Sequence, residues 1–542
     1  MEVAFSALFE AITDAHPERE AIVWRAKRLT FASVRERADR FARLLASAGV
    51  GLRVEPDGVE PWRSPHDHVA LYLRNGNEYL EGMLGAWRAR AAATNVNYRY
   101  VDDELAEVLD DQSAAAIVYH GSFASTLERV LERIAPPRLL VRVDDGTGDP
   151  LLPGAVDYED ALAAQVEPGP PRTDWSPSDR YILYTGGTTG SPKGVLWRQS
   201  DFMVRALGLT RRDGSDFASV DEVVDRAGRR STLRSMPLPP FMHGAAHWNA
   251  LSTWLSGGTV VIQDRVDRFD AADALRVAEA EQVTAAVIVG DAFARPLLEA
   301  IEAGAPRPGS LRHLLSSGAI LSRPVAEELR TRLPDVRLLD VLGSSEAGRQ
   351  GINVTSPGAD AGSSFIRDAG SEVISEDRSR FLEPGDDEIG WLATTGRVPL
   401  GYLDDPVKTA ATFPTVDGRR LVVPGDRARL LQDGSIELHG RESVTINSGG
   451  EKIFAEEVER AVKEHPSVAD VLVVGRPSER WGAEVVAVVQ LRAGAEATAD
   501  ELAERAGRHV ARYKIPKDFV FTGRVPRSPS GKPDYAAARA LL

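Results

Sequence analysis

Short apolar runs alternate along the chain with stretches whose apolar residues recur every three or four positions. That alternation predicts strands wound with helices into an α/β sheet. Val34, Ala38, Phe41 and Leu45 put one apolar stripe on a helix over 31–48, and Gly49 stands at its C-terminal end. Val69–Leu73 then reads as a strand, 78–88 as a helix, and 114–119 and 139–143 as further strands. The stretch 51–67, with three prolines and little periodicity, reads as a surface excursion. Strands at 259–263, 284–289, 311–315 and 336–341 alternate with helices at 271–280, 291–303 and 323–333. The charged stretch 211–234 reads as a solvated loop-helix.

The pattern changes further along. Asp433-Gly434 between 427–431 and 435–440 is a hairpin turn signal. After Gly440-Arg441 come a helix at 455–465 and strands at 471–474 and 485–489. A helix opened by Thr498 and Glu501 follows, then a strand at 518–522 and a last helix from Asp534. This predicts a large wound α/β domain over 1–440 with a hairpin-rich end, and a small α+β domain over 441–542.

Length supports the division, since 542 residues exceed what one compact core accommodates. The net charge of −15 argues against a general nucleic-acid binder. With no cysteine, a disulfide, a thiolate metal site and a cysteine nucleophile are all excluded. Glu2 stands where a signal peptide would carry basic residues, and no apolar run reaches membrane-spanning length. A soluble, cytoplasmic protein is expected.

The strand Tyr181–Tyr184 runs into Thr185, Gly186, Gly187, Thr188, Thr189, Gly190, Ser191, Pro192 and Lys193. Glycines let several N–H groups turn toward one anion, the threonines add hydroxyl donors, and Lys193 adds a mobile charge. These residues suit a polyphosphate. The spacing is not that of a Walker A loop, because Pro192 precedes the lysine and Gly194 follows it.

The stretch resembles the AMP-binding signature of the adenylate-forming superfamily, with Gly186 in place of the usual serine. Five further stretches resemble that superfamily in order and spacing, so the resemblance covers nearly the whole chain and is nearest to actinobacterial fatty-acid and steroid-acid CoA ligases. It implies that His243, in Pro240–Gly244, stands beside the forming acyl phosphate. In Gly343-Ser344-Ser345-Glu346 it implies a hydroxyl at the α-phosphate and Glu346 holding Mg²⁺, with Leu342 replacing the tyrosine that stacks on adenine. Asp426 would bind the ribose and Arg441 the ribose and phosphate. Ser443 falls at the domain hinge, where aspartate or lysine is usual. Gly449 and Gly450, in the run that continues to Lys452, would flank the pantetheine channel. Lys532 would reach the α-phosphate and the carboxylate during adenylation.

The resemblance therefore implies a carboxylate–CoA ligase with ATP, Mg²⁺ and coenzyme A as cosubstrates or cofactors, and it leaves a homodimer open. Ala245, Ala246, Trp248, Gly318 and Ala319 fall where the family lines its acyl pocket. Four of the five are small, which favours a medium-to-long fatty acid or a bulky cyclic acid. Four other readings compete, and one of them, a fatty acyl-AMP ligase, would carry an extra segment near the hinge where none is apparent. A carrier-protein adenylation domain would place an aspartate after His243, and Ala245–Ala250 carries no acid. A non-catalytic nucleotide binder would be expected to lose Lys532 or Glu346, and both are present. A luciferase-like oxygenase is left to a light-emission assay.

Overall fold

A computed structural model describes residues 1–165, 174–185, 192–211, 213–230, 232–355, 364–448, 451–478, 481–528 and 531–542. Beside an antiparallel edge strand, Lys27–Thr30, its largest sheet carries parallel strands in the spatial order Glu20–Trp24, Thr259–Ile262, Arg234–Pro237, Ala285–Ile288, His313–Ser317 and Arg337–Ser344. Thr259–Ile262 and Ala285–Ile288 are buried at every position, as parallel strands covered on both faces must be. Helices Ala271–Ala280, Gly290–Glu302 and Arg323–Arg332 supply the crossovers. Asp270 accepts from the Asp273 N–H to start the first, and Pro324 opens the third.

At Arg337–Ser344 the sheet changes character. Gly348–Thr355 returns antiparallel, and Ser364–Arg367, Ile436–Arg441, Asp426–Leu430 and Gly390–Thr395 continue antiparallel. The Asp433-Gly434 turn joins Asp426–Leu430 to Ile436–Arg441, with Gly434 at φ 79°. A second, parallel sheet carries Ala92–Asn95, His68–Tyr72, Ala114–His120, Leu139–Val143 and Ala155–Asp157. A third pairs Arg180–Thr185 with Lys193–Arg198.

Residues 444–535 gather a core of their own around Val458, Val462, Val473, Val485, Val489 and Phe519. Its sheet pairs Val468–Ser478, Gly482–Leu491 and Asp518–Phe521, and Thr498 and Glu501 form the capping box of Ala499–Ala506. The molecule is thus a large α/β domain followed by a small α+β one.

Two readings need correction. The stretch 211–234 is solvated on one face only, because its helix Val220–Gly228 buries Val223 and Ala227 in the main core. Arg211 pairs within the stretch on Glu222 at 2.7 Å, and Arg234 reaches Glu20, far away in the chain, at 2.7 Å. The stretch 51–67 is a surface excursion only in its middle. At its end His66 is buried, its Nδ1 2.8 Å from the Arg90 carbonyl.

Candidate functional site

Ligands of wound sheets sit beyond the carboxyl ends of the parallel strands. Four strands deliver site residues there. Arg234–Pro237 leads to His243, Ala285–Ile288 to Asp291, His313–Ser317 to Gly318, and Arg337–Ser344 to Ser345 and Glu346. Ala285–Ile288 is buried throughout, so the position of Asp291 just past its end is fixed with it.

The His243 segment is held by neutral hydrogen bonds. The Asn75 amide accepts from the Phe241 N–H at 2.6 Å and donates to the Pro239 carbonyl at 3.1 Å. Asn95 accepts from the Tyr184 N–H at 2.7 Å and donates to the carbonyls of Tyr184 and Met242, both at 2.8 Å. It thereby ties the strand entering the glycine loop to the residue before His243. His243 Nε2 is buried and has no hydrogen-bond partner among the described residues. Burial, then the nearby Lys532 charge, pushes its pKa down to about 3, so the imidazole is neutral.

Residues 186–191 lie outside the described residues, and with them Gly186, Gly187, Thr188, Thr189 and Gly190. The strands on either side pair with Thr185 opposite Lys193, which brings the two ends of that segment together. Lys193 Nζ stands 3.8 Å from Asp405.

Ser344–Gly348 is the turn between the antiparallel strands Arg337–Ser344 and Gly348–Thr355. A Cβ on Gly343 would lie 2.4 Å from the Gly348 carbonyl oxygen, so only glycine fits there. Ser344 Oγ accepts from the Ala347 N–H at 3.1 Å, and the Ser345 carbonyl accepts from the Trp197 indole at 3.1 Å. Glu346 accepts from the Tyr402 hydroxyl at 3.1 Å. Leu342 packs against the apolar cluster of Leu392, Leu430 and Ile436.

Asp426 and Arg441 form an ion pair, Nε to Oδ1 at 2.9 Å, across paired strands. Asp426 raises the Arg441 pKa further. Ser443 lies in the 3₁₀ turn Glu442–Val444, and Lys452 in the strand Glu451–Phe454. Gly449 and Gly450 lie outside the described residues.

Lys532 reaches this site from the small domain. Its Cε lies 3.6 Å from where a Cβ on Gly318 would stand, and Gly318 turns at φ 82°, where glycine is favoured. Crowding lowers the Lys532 pKa and Arg441 lowers it further, while Glu346 opposes both. Lys532, Glu346, Arg441 and His243 are therefore electrostatic neighbours.

Beside them the helix Gly244–Leu255 carries Ala245, Ala246 and Trp248. Ala246 is buried in the main core, whereas Ala245, Trp248 and Ala319 keep part of their surface open. A directed chain orients the indole. A carbonyl only accepts, so His247 Nδ1 donates to Phe241 at 2.6 Å and His247 Nε2 accepts from the Tyr181 hydroxyl at 2.6 Å. That hydroxyl accepts in turn from Trp248 Nε1 at 2.6 Å.

Asn75, Asn95, Tyr402, Tyr181 and His247 escaped the sequence reading. Among the described residues no three histidines or acids cluster as a metal site, and no helix is long and apolar enough to cross a membrane.

Comparison with known proteins gives consistent relatives. The model of the AMP-binding enzyme family matches residues 9–387, and that of the AMP-binding enzyme C-terminal domain matches 457–532. The chain is 48% identical to the medium-chain acyl-CoA ligase Mig of Mycobacterium avium over 534 residues, 98% of this chain and 97% of the relative. It is 38% identical to the 3-oxocholest-4-en-26-oate–CoA ligase of Rhodococcus rhodochrous, covering 99% and 96%. Among solved structures, an anthranilate CoA ligase bound to anthranoyl-AMP superposes with a TM-score of 0.83 at 18% identity, covering 99% of this chain and 97% of that one.

Proposed function

The chain belongs to the AMP-binding enzyme family, and from that premise we propose how its site makes an acyl-CoA from a carboxylic acid, ATP and coenzyme A. The protein is an ATP-dependent, AMP-forming acyl-CoA ligase. A carboxylate resists thiols because oxide is a poor leaving group. Attack of its oxygen on the α-phosphorus of ATP forms acyl-AMP as the bond to pyrophosphate breaks. The thiol of coenzyme A then attacks the acyl carbon, loses its proton, and AMP departs.

The first step needs positioning and charge neutralisation rather than a protein nucleophile. Lys532, Lys193 and Arg441 supply positive charge, and the neutral His243 presents an unpartnered nitrogen beside the reacting groups. Asp426, one oxygen on Arg441, offers the other to the ribose. Trp248, oriented by Tyr181 and His247, forms a wall of the acyl pocket with Ala245, Gly318 and Ala319.

Glu346 fits a magnesium ion. A hard cation on substrate phosphates needs only one or two carboxylates, and Tyr402 orients this one. When bound, the ion would neutralise phosphate charge. In the small domain, Gly449, Gly450 and Lys452 are assigned to the pantetheine path. Lys532 and that loop serve different steps, so a rotation about Ser443 exchanges them, and the domain boundary falls at 441.

The observation that carries this reading is the buried Lys532 beside Gly318, close enough to Glu346, Arg441 and His243 for their charges to act on one another. Its test is pyrophosphate release across carboxylic acids of graded length and ring content, with and without coenzyme A. Medium-to-long fatty acids or bulky cyclic acids should give the highest kcat/KM. A preference for acetate or an amino acid would overturn the pocket assignment.

A further inference from the structure

At the boundary between the domains, buried charges run in a line from the acyl side of the site to Lys532. Asp291 opens the helix Gly290–Glu302, and its Oδ1 accepts from the Ser322 N–H at 2.8 Å. Its backbone N–H donates to the Ile320 carbonyl at 3.1 Å, in the loop that carries Gly318 and Ala319. Its Oδ2 faces Lys463 of the small domain at 3.2 Å. Lys463 also touches Asp470 at 3.1 Å, and its side chain is 1% exposed. Asp470 accepts from Arg527 through both oxygens, and Lys463 and Arg527 depress its pKa strongly. Arg527 then donates to the Gly531 carbonyl at 3.0 Å, and the Ser528 N–H donates to the Lys532 carbonyl at 2.7 Å.

We propose that Asp291 and Lys463 form a latch that positions Lys532 for adenylation and opens for the thiol step. Both are positioning residues, since neither touches the reacting groups. The inference rests on the domain exchange proposed above and adds the contact that holds one of its two poses.

The arrangement is built to open without leaving a charge alone. Lys463, Asp470 and Arg527 all belong to the small domain and move together. Asp291 stays behind with the Ser322 N–H and with Arg295 at 3.8 Å. A buried ion pair that lost its only partner would be strongly destabilised, and here each half keeps one. Another ion pair across the boundary, Arg323 on Glu464 at 2.6 Å, is more exposed and correspondingly weaker.

The test uses the full-length enzyme with octanoate, ATP and magnesium, and measures the half-reactions separately. Lys463→Met keeps the stem and removes the charge. Asp291→Asn keeps an acceptor for Ser322 and acts from the large domain. Each should slow pyrophosphate release by about 10- to 100-fold, the cost of a misplacement of roughly 1 Å. Thioester formation from supplied octanoyl-AMP should stay within about twofold, since the latch is open in that step. Lys463→Arg should restore most of the first rate. Paired fluorophores on cysteines introduced at Val407 and Tyr513, both exposed, should show a smaller docked fraction in Lys463→Met.

Equal loss in both half-reactions, or no loss in either, would overturn the latch. If Lys463→Met does not fold, Asp291→Asn decides. The two ideas fail differently. An unchanged docked fraction in Lys463→Met, with a wild type whose labels still move between the steps, removes the latch alone. Labels that do not move in the wild type remove the domain exchange as well.

Discussion

The two halves of the site are held by different kinds of bond. On the large-domain side, Asn75 and Asn95 grip the backbone of Pro239–Met242 with neutral hydrogen bonds inside the core. On the small-domain side, Lys532 is placed by ion pairs running through Lys463, Asp470 and Arg527. Amide-to-backbone bonds are short-ranged and expensive to leave unmade, so they suit a scaffold that does not move. Ion pairs with partners on both sides can exchange, so they suit a pose that is adopted and released. The difference teaches that the buried asparagines suit the part proposed to stay fixed and the shared charges the part proposed to move.

The contrast can be broken most severely at its mobile end. Lys532→Ala should lower pyrophosphate release by about 10²–10³-fold, the usual loss for one preorganised charge-stabilising donor. Turnover of supplied acyl-AMP with coenzyme A should be nearly intact. Two separate assays on one preparation, with folding checked by circular dichroism, decide it. Equal losses would mean that Lys532 serves both steps.

Tyr402→Phe sharpens the comparison from the scaffold side. It removes the hydrogen bond that orients Glu346 and should weaken magnesium use by about 10-fold or more. A magnesium titration should show a shifted midpoint with the maximal rate largely recovered at saturation. A lowered maximal rate with no shift would detach Glu346 from the ion.

Asn95→Ala should behave as damage to a scaffold. The Tyr184 N–H and the Met242 carbonyl lose their partner, at a stability cost of about 1–3 kcal/mol for each buried group left unpaired. Urea unfolding should show the loss, and both half-reactions should fall together. A selective fall in adenylation would erase the distinction between the halves.

The smallest effect belongs to the acyl wall. Tyr181→Phe removes both hydrogen bonds of the hydroxyl that joins Trp248 to His247. Each such bond contributes about 1 kcal/mol, so kcat/KM should shift by roughly 3- to 10-fold among chain lengths. A flat chain-length profile would show that Trp248 does not bound the pocket.

How much of this was legible in the sequence follows from the range of each signal. Buried parallel strands such as Ala285–Ile288 are short apolar runs, and they were read within a residue or two. The capping box at Thr498 and the turn at Asp433-Gly434 are local chemistry, and both stand where the residues placed them. The strand Val468–Ser478 was read only at 471–474, because Gly475-Arg476-Pro477-Ser478 extends it without apolar residues.

Asn95 and Lys463 carried no such signal. Asn95 bonds to residues 89 and 147 positions away, and Lys463 to one 172 positions away. A single polar residue with a distant partner leaves no periodicity in its neighbourhood. Lys532, Glu346, Arg441 and His243 could be singled out because each sits in a run of characteristic spacing. That they meet required the fold.

We propose that the docked small domain serves adenylation and must leave for the thiol step. Arg323 and Glu464 face each other across the boundary at 2.6 Å, and the chain has no cysteine of its own. Replacing both with cysteine and joining them with a short, reducible cross-linker would therefore hold the docked pose without side reactions. The cross-linked enzyme should still release one equivalent of pyrophosphate and form acyl-AMP, yet make no acyl-CoA until the linker is reduced. Acyl-CoA formation at the unlinked rate while the cross-link is intact would contradict the account.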